Sequence, residues 1–184
     1  NDTDEIIHDE LDNKRCVVNL KPLKKFVDDV QKELNGNNEL YIEPIVKTLL
    51  QDKLEEIKVV ILMGIPGSGK TTFGKILFNK VKPSFATALY LSSDELRGKI
   101  GTSESDQSVS KEVFRTMGNY LKLYLNNTKC NGVVFIDATN LRRVDRNRWH
   151  SIVQESPTVV KTTIIHMNVS LEKALLNNTI RGLK

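Results

Sequence analysis

Along the chain, short unbroken apolar runs alternate with stretches whose apolar residues recur every three or four positions. From Ile57 onward the runs predict strands over 58–63, 87–91, 132–137 and 159–168. Between the first two, Phe73, Ile76 and Leu77 share one side of a predicted helix over 72–80. The longest helical stripe, over 108–127, carries Val113, Phe114, Met117, Tyr120, Leu121, Tyr124 and Leu125, and core packing accounts for it. A polar, glycine-bearing stretch over 98–107 reads as a mobile loop, and another helix starts near Ser170. Strands alternating with helices imply a parallel sheet covered on both faces, an α/β fold.

The first 56 residues follow another rhythm and are expected to form a separate helical extension, with the α/β domain over 57–184. Residues 1–20 open acidic and loose, then turn apolar at Cys16-Val17-Val18. A helix is predicted over 21–34, with Phe26, Val27, Val30 and Leu34 on one face and Asn35-Gly36 ending it. A second runs from about 43 to 56, with Val46, Leu49, Leu50 and Leu54 inward. Neither carries a motif with chemistry; a packing brace or a surface docking a partner domain is the reading.

Directly after the first strand of the α/β part stands Gly64-Ile65-Pro66-Gly67-Ser68-Gly69-Lys70-Thr71-Thr72, which fits G-x-x-x-x-G-K-[ST]. Strand before and helix after give the pattern its structural context. The glycines let backbone N–H groups turn inward around an anion, and the helix N-terminus adds partial positive charge. Lys70 is placed to reach the outer phosphates of a nucleoside triphosphate, and Thr71 to give a hydroxyl to Mg²⁺. Gly64, Pro66, Gly67, Ser68, Gly69, Lys70, Thr71 and Thr72 are therefore the expected nucleotide contacts, with ATP or GTP as donor.

At 184 residues, 39% hydrophobic and 27% charged, the chain has the composition of a globular domain. No apolar run approaches the about 20 residues that span a bilayer, so no membrane partner is expected. Cys16 and Cys130 match no metal or redox spacing and read as reduced packing residues of an intracellular protein, cytoplasmic or nuclear. His8, His150 and His166 show no ligand spacing either. Charge is uneven: residues 1–57 hold 14 acidic and 8 basic residues, residues 58–184 hold 9 and 19, for +4 overall. The half with the glycine loop is the basic half, which favours a polyanionic partner such as nucleic acid.

Three further constellations bear on chemistry. Ser92-Ser93-Asp94-Glu95-Leu96-Arg97 follows the second strand. Ser92 and Glu95 fit a helix capping box, while Asp94 and Arg97 stand one turn apart at the strand end where α/β folds bind ligands. A carboxylate there can take a hydroxyl proton while a guanidinium grips a phosphate. The third strand ends in Asp137, continuing as Ala138-Thr139-Asn140, and an acid at that point can orient water on Mg²⁺ or bind the acceptor. Beyond it come Arg142, Arg143, Arg146 and Arg148, a solvated helix face or part of a site, with Trp149 read as packed. Arg181 precedes Gly182 in a presumed loop after the last helix, a place suited to a lid residue or to a loose tail.

Taken together, Gly64–Thr71, Asp94-x-x-Arg97, Asp137-Ala138-Thr139-Asn140 with its arginines, and Arg181-Gly182 resemble the polynucleotide 5′-hydroxyl kinase family. Phage-type polynucleotide kinase and the kinase modules of RNA-repair and tRNA-ligase proteins belong to it. The resemblance covers residues 57–184 and implies a P-loop NTPase fold of adenylate-kinase type. It implies Lys70, Asp94 and Arg181 as catalytic, Asp94 being the base on the 5′-OH. It implies Arg97, Asp137, Thr139, Asn140 and Arg143 at the acceptor, with Thr71 on the metal. The implied partners are an NTP and a 5′-OH nucleic acid, RNA ahead of DNA, in nucleic-acid repair. Two departures stand out. A second basic lid residue of the family falls at Asn177, and the chain ends at Lys184 within the expected lid. A longer protein with additional domains is therefore expected. The alternatives are a related kinase of a small molecule or aminoacyl-tRNA, and a nucleotide-dependent regulatory module without phosphoryl transfer.

Overall fold

The computed structural model describes residues 5–8, 15–18, 41–51, 56–104, 106–129 and 131–182. The chain divides into two compact units, Asn1–Ile42 and Glu43–Lys184. In the first unit, β1 (Glu5–His8) and β2 (Arg15–Val18) pair antiparallel, with Ile6 opposite Val17 and Ile7 opposite Cys16. This ribbon replaces the loose segment expected there, so the N-terminal extension is not helical throughout. Its β-branched residues suit a pleated pair and are too few for a helical stripe. The expected helix over 21–34, its Asn35-Gly36 stop, Leu54, Cys130 and the side chain of Cys16 lie outside the described residues.

Helix α1 occupies residues 41–50. Within the second unit it buries Leu49 and half-buries Val46, and Glu43 pairs with Lys80 at 2.7 Å. Leu50, expected inward, is 41% exposed. One helical position past Leu49 is about 100° around the axis, enough to leave a narrow buried stripe.

Four strands, β3 (Ile57–Met63), β4 (Thr87–Ser92), β5 (Gly132–Asp137) and β6 (Val160–His166), form one parallel sheet ordered β4-β5-β3-β6. Central β3 and β5 are buried on both faces, which is why their sequences are continuous apolar runs rather than alternating ones. Edge strand β6 is mostly exposed and mixes Lys, Thr and Ile. The connecting helices are α2 (Lys70–Val81), α3 (Ser93–Ile100), α4 (Ser110–Asn127), α5 (Arg143–Gln154) and α6 (Leu171–Gly182).

Strand alternation divides the core into two layers. Val59, Ile61, Leu91, Val134 and Ile136 meet Val113, Met117, Leu121 and Leu125 of α4 and Trp149 and Ile152 of α5. On the opposite face α2 lays Phe78 against the rings of Tyr90 and Phe135, each 5.3 Å away edge-on. The observed α4 seam follows the i, i+4 line Val113, Met117, Leu121 and Leu125, with Gly118 beside it, where Ile152 packs close. Tyr120, assigned to that stripe from sequence, is 48% exposed on the flank.

The stretch over 98–107 is not one loop. Its first three residues continue α3, and Asp106 links Thr102 to Ser108. The Asp106 carboxylate accepts hydrogen bonds from the N–H and hydroxyl of Thr102 and of Ser108. These bonds, Ser108's hydroxyl foremost, hold its pKa at about 2, below the ordinary 3.8. Because the folded pKa is depressed, this contribution is complete above 3.8 and fades as pH falls toward about 2. Asp106→Asn should therefore flatten the acid limb of the stability profile between those values, as read by thermal unfolding across pH. For the core, Leu121→Ala should cost about 2–5 kcal/mol by cavity formation. Leu123→Ala, at a position 57% exposed, should stay within about 0.5 kcal/mol, both variants being measured by urea titration.

Candidate active site

The glycine loop connects β3 to α2 at the carboxyl end of the sheet. Gly67 and Gly69 have φ of +78° and +85°, the left-handed conformation that lets the chain fold back on itself at low cost. At Gly67 the demand is also steric, since a Cβ there would lie 2.1 Å from the carbonyl oxygen of Ala174 in α6. Lys70 is buried, and its Nζ donates to the carbonyl of Ile65 at 2.9 Å, across the loop. Ser68 is buried, and its hydroxyl has no hydrogen-bond partner among the described residues. Thr72 is exposed on the first turn of α2, and Pro66 is exposed at the loop's crest.

Asp137, the last residue of β5, is 3% exposed and accepts hydrogen bonds from the hydroxyls of Thr71 and Tyr90. Burial raises its pKa; the two hydroxyls and the Lys70 charge act in the opposite direction, and the Asp94 charge adds to the rise. Tyr90 donates to Oδ2 at 3.0 Å, and burial, then the Asp137 charge and that bond, push its own pKa upward, so it stays a donor. The resemblance assigned Asp137 to the acceptor. In the structure it bonds to Thr71 and Tyr90, and the charges of both Lys70 and Asp94 act on it.

Asp94 and Arg97 lie on α3, directly beyond the carboxyl end of β4. Ser92 caps this helix by accepting from the Glu95 N–H at 3.3 Å, so the capping box and the chemical pair coexist. Arg97 Nη1 donates to Asp94 Oδ1 at 2.7 Å and to the Glu104 carbonyl at 3.0 Å. The Arg97 side chain is 8% exposed and that of Asp94 38%. The Arg97 Nε has no hydrogen-bond partner among the described residues. In this arrangement Arg97 grips Asp94 rather than presenting an open phosphate site.

Asn140 is 1% exposed with φ +49°, and its side chain is fully occupied by the protein. Its Nδ2 donates to Leu62 O at 2.8 Å, and its Oδ1 accepts from Trp149 Nε1 at 2.8 Å. Asn140 thus ties β5 to β3. Trp149 is packed, as its sequence reading had it. Thr139 is exposed and its carbonyl receives the Gly64 N–H at 3.1 Å. Arg143 is exposed at the start of α5. Of the other arginines, Arg142 pairs with Asp145, Arg146 donates to the Asn140 carbonyl, and Arg148 lies 4.9 Å over the Phe114 ring.

The last helix differs from its expectation. Residue 181, placed by sequence in a loop, is within α6, which runs through Gly182. Buried Ala174 and Ile180 continue its packed face, and Thr179 bonds back to Leu175 O. The Arg181 side chain lies outside the described residues. Asn177 donates to the Gly67 carbonyl at 2.8 Å, so the position where the family carries a second basic residue here holds the glycine loop. That contact, Tyr90 and Gly74 of α2 had no motif to announce them.

Thr71 hydroxyl and Asp137 carboxylate are hard oxygen donors side by side, a set that suits Mg²⁺ shared with a nucleotide's phosphates. Among the described residues no group of three or more His, Cys, Asp or Glu forms a protein-only cage. No helix among them is long and apolar enough to cross a membrane.

A parallel sheet, a glycine loop entering α2 and a buried acid beside its threonine define a P-loop NTPase domain of kinase-like fold. The AAA domain family model matches residues 59–184, and the chain belongs to that family. A 43-residue stretch is 44% identical to cytidine diphosphoramidate kinase of Campylobacter jejuni subsp. jejuni serotype O:2, covering 23% of this chain. The chain spans about a quarter of that relative, 25% of its length. Among solved structures, Chaetomium thermophilum Kti12 in complex with ADP-AlF3 superposes with a TM-score of 0.54 at 19% identity, over 68% of each chain. Mycobacterium tuberculosis APS kinase CysC, in complex with AMPPNP and APS, gives 0.52 at 18% identity, over 68% of this chain and 70% of that one. At these identities the likeness is one of fold.

Asn140→Ala would strand the Trp149 N–H and the Leu62 carbonyl in a dry interior. A loss of about 2–4 kcal/mol is expected from two unsatisfied groups, measurable by chemical denaturation.

Proposed function

We propose that this domain transfers the γ-phosphoryl group of ATP or GTP to an acceptor hydroxyl, the 5′-OH of RNA or DNA. The observation that carries the reading is Asp94, held by buried Arg97 at a strand end beside the phosphate loop and close enough for its charge to act on Asp137. The acceptor oxygen attacks the γ-phosphorus, the bond to the departing nucleoside diphosphate breaks, and the acceptor's proton passes to the Asp94 carboxylate. Lys70 neutralises charge on the outer phosphates, and Arg97 keeps Asp94 aimed. Thr71 and Asp137 would hold Mg²⁺, whose chemistry is to offset the charge on the β- and γ-oxygens. Arg181 is the proposed lid residue on the transferring group, and Arg143, exposed at the α5 start, a proposed acceptor contact.

The nucleic-acid acceptor is supported by the Asp-x-x-Arg and Asp-x-Thr-Asn segments and by the basic charge of residues 58–184. A small phosphorylated or nucleotide-bearing acceptor is the second reading, favoured by the 43-residue similarity to a cytidine diphosphoramidate kinase.

The test is γ-labelled NTP offered with a short 5′-OH oligonucleotide or, separately, with small hydroxyl acceptors such as nucleosides and nucleotides. Label on the oligonucleotide, with acceptor binding weakened by salt, supports the first reading; label only on small acceptors moves the assignment to the second. Nucleic-acid-stimulated hydrolysis with no labelled acceptor would point to a regulatory module instead. Asp94→Asn should lower transfer by at least about 100-fold while nucleotide affinity stays within a few-fold; unchanged turnover would remove Asp94 from the base role.

A further inference from the structure

Behind the Thr71–Asp137 pair lies a phenol on a strand that carries no part of the phosphate loop. Tyr90 reaches from β4 across to β5 and donates to Asp137 Oδ2 at 3.0 Å. Its ring cannot easily drift, because Phe78 meets it edge-on at 5.3 Å and Phe135 stacks on it at 6.0 Å. The hydroxyl has room only because residue 74 of α2 is glycine. A Cβ on buried Gly74 would stand 2.7 Å from the Tyr90 hydroxyl and 2.3 Å from Leu62 Cδ1. Three elements, α2, β4 and β5, therefore meet around the Tyr90 hydroxyl.

We propose that Tyr90 is a positioning residue that fixes the Asp137 carboxylate for the divalent cation of a bound nucleotide, and that Gly74 is the space that permits it. A carboxylate bonded at one oxygen no longer turns freely about its Cβ–Cγ bond, so its orientation toward Thr71 is set before any ligand arrives. Second partners of metal-binding side chains act in this way, and their loss weakens metal affinity by about 10-fold or more. The ring and the hydroxyl have separable duties: the ring packs against Phe78 and Phe135, while only the hydroxyl reaches Asp137. The inference rests on the donor half of the proposed function, a nucleotide with its cation at the glycine loop, and is independent of which acceptor is used.

Tyr90→Phe separates the two duties, since it keeps the aromatic packing and deletes the hydroxyl. The measurement is binding of a fluorescent nucleoside diphosphate to the full chain over a Mg²⁺ titration, alongside direct Mn²⁺ binding followed by electron paramagnetic resonance. Tyr90→Phe should raise the half-saturating Mg²⁺ and the Mn²⁺ dissociation constant by about 5–10-fold. Nucleotide affinity in chelator should remain unchanged. Gly74→Ala should move the cation dependence the same way, and adding it to Tyr90→Phe should bring little further change, because both act on one hydrogen bond. If Gly74→Ala does not fold, Tyr90→Phe alone decides. Wild-type cation dependence in Tyr90→Phe, with nucleotide still bound, overturns the inference and leaves the donor site intact. Failure of the wild-type chain to bind nucleotide with Mg²⁺ or Mn²⁺ instead sinks the donor-site reading on which it rests.

Discussion

Everything near the glycine loop depends on how the carboxyl ends of β3 and β5 are tied together. Beyond its last ladder pair, Leu62 with Asp137, the parallel sheet no longer fixes the two chains. Asn140 takes over by donating to Leu62 O, and the Thr139 carbonyl accepts the Gly64 N–H. Trp149 and Arg146 of α5 then bond to Asn140. One residue in the left-handed region thereby sets where the loop leaves β3, where β5 delivers Asp137 and where α5 begins. Asparagine suits the post because its amide serves both a carbonyl and an indole N–H, and it tolerates positive φ.

With that frame set, the electrostatics of the site follow from burial. Asp137 is an acid in a dry place, and a charge there is costly unless it is met by donors and opposite charge. Two hydroxyls and the Lys70 ammonium meet it. Arg97 is similarly withdrawn from water and compensated by Asp94 and a backbone carbonyl. Asp137 at the end of β5 and Arg97 on α3 thus use one device, a buried ion held by a fixed partner. Low local polarity makes both interactions stronger than at the surface, and it makes the loss of either partner more damaging.

Much of this was legible in the chain. Unbroken apolar runs announced the two central strands, and G-x-x-x-x-G-K-T announced the loop with its flanking elements. Asp94 and Arg97 were readable as a pair because helical spacing is local. What stayed hidden was non-local. Tyr90 looked like one more strand residue; only the register that sets Ser92 beside Asp137 brings its side chain onto the acid's face. Asn140 and Asp137 stood out only as a strand-end pattern, and nothing local showed that Asn140 bonds Leu62 and Trp149 or that Asp137 bonds Thr71 and Tyr90. The N-terminal ribbon and the continuation of α6 through residue 182 failed to show for a simpler reason: short apolar pairs and Gly-containing helix ends carry weak periodic signals.

One consequence of the Asn140 tie is optical. Trp149 is the only tryptophan in the chain, wholly buried, with its N–H held by Asn140 and Phe114 and Arg148 beside its ring. Its emission therefore reports on a single place, the junction from which the glycine loop springs. A ligand that shifts that junction changes the hydrogen bond and the charge next to the indole, and the molecule announces the event in its own fluorescence without any attached dye.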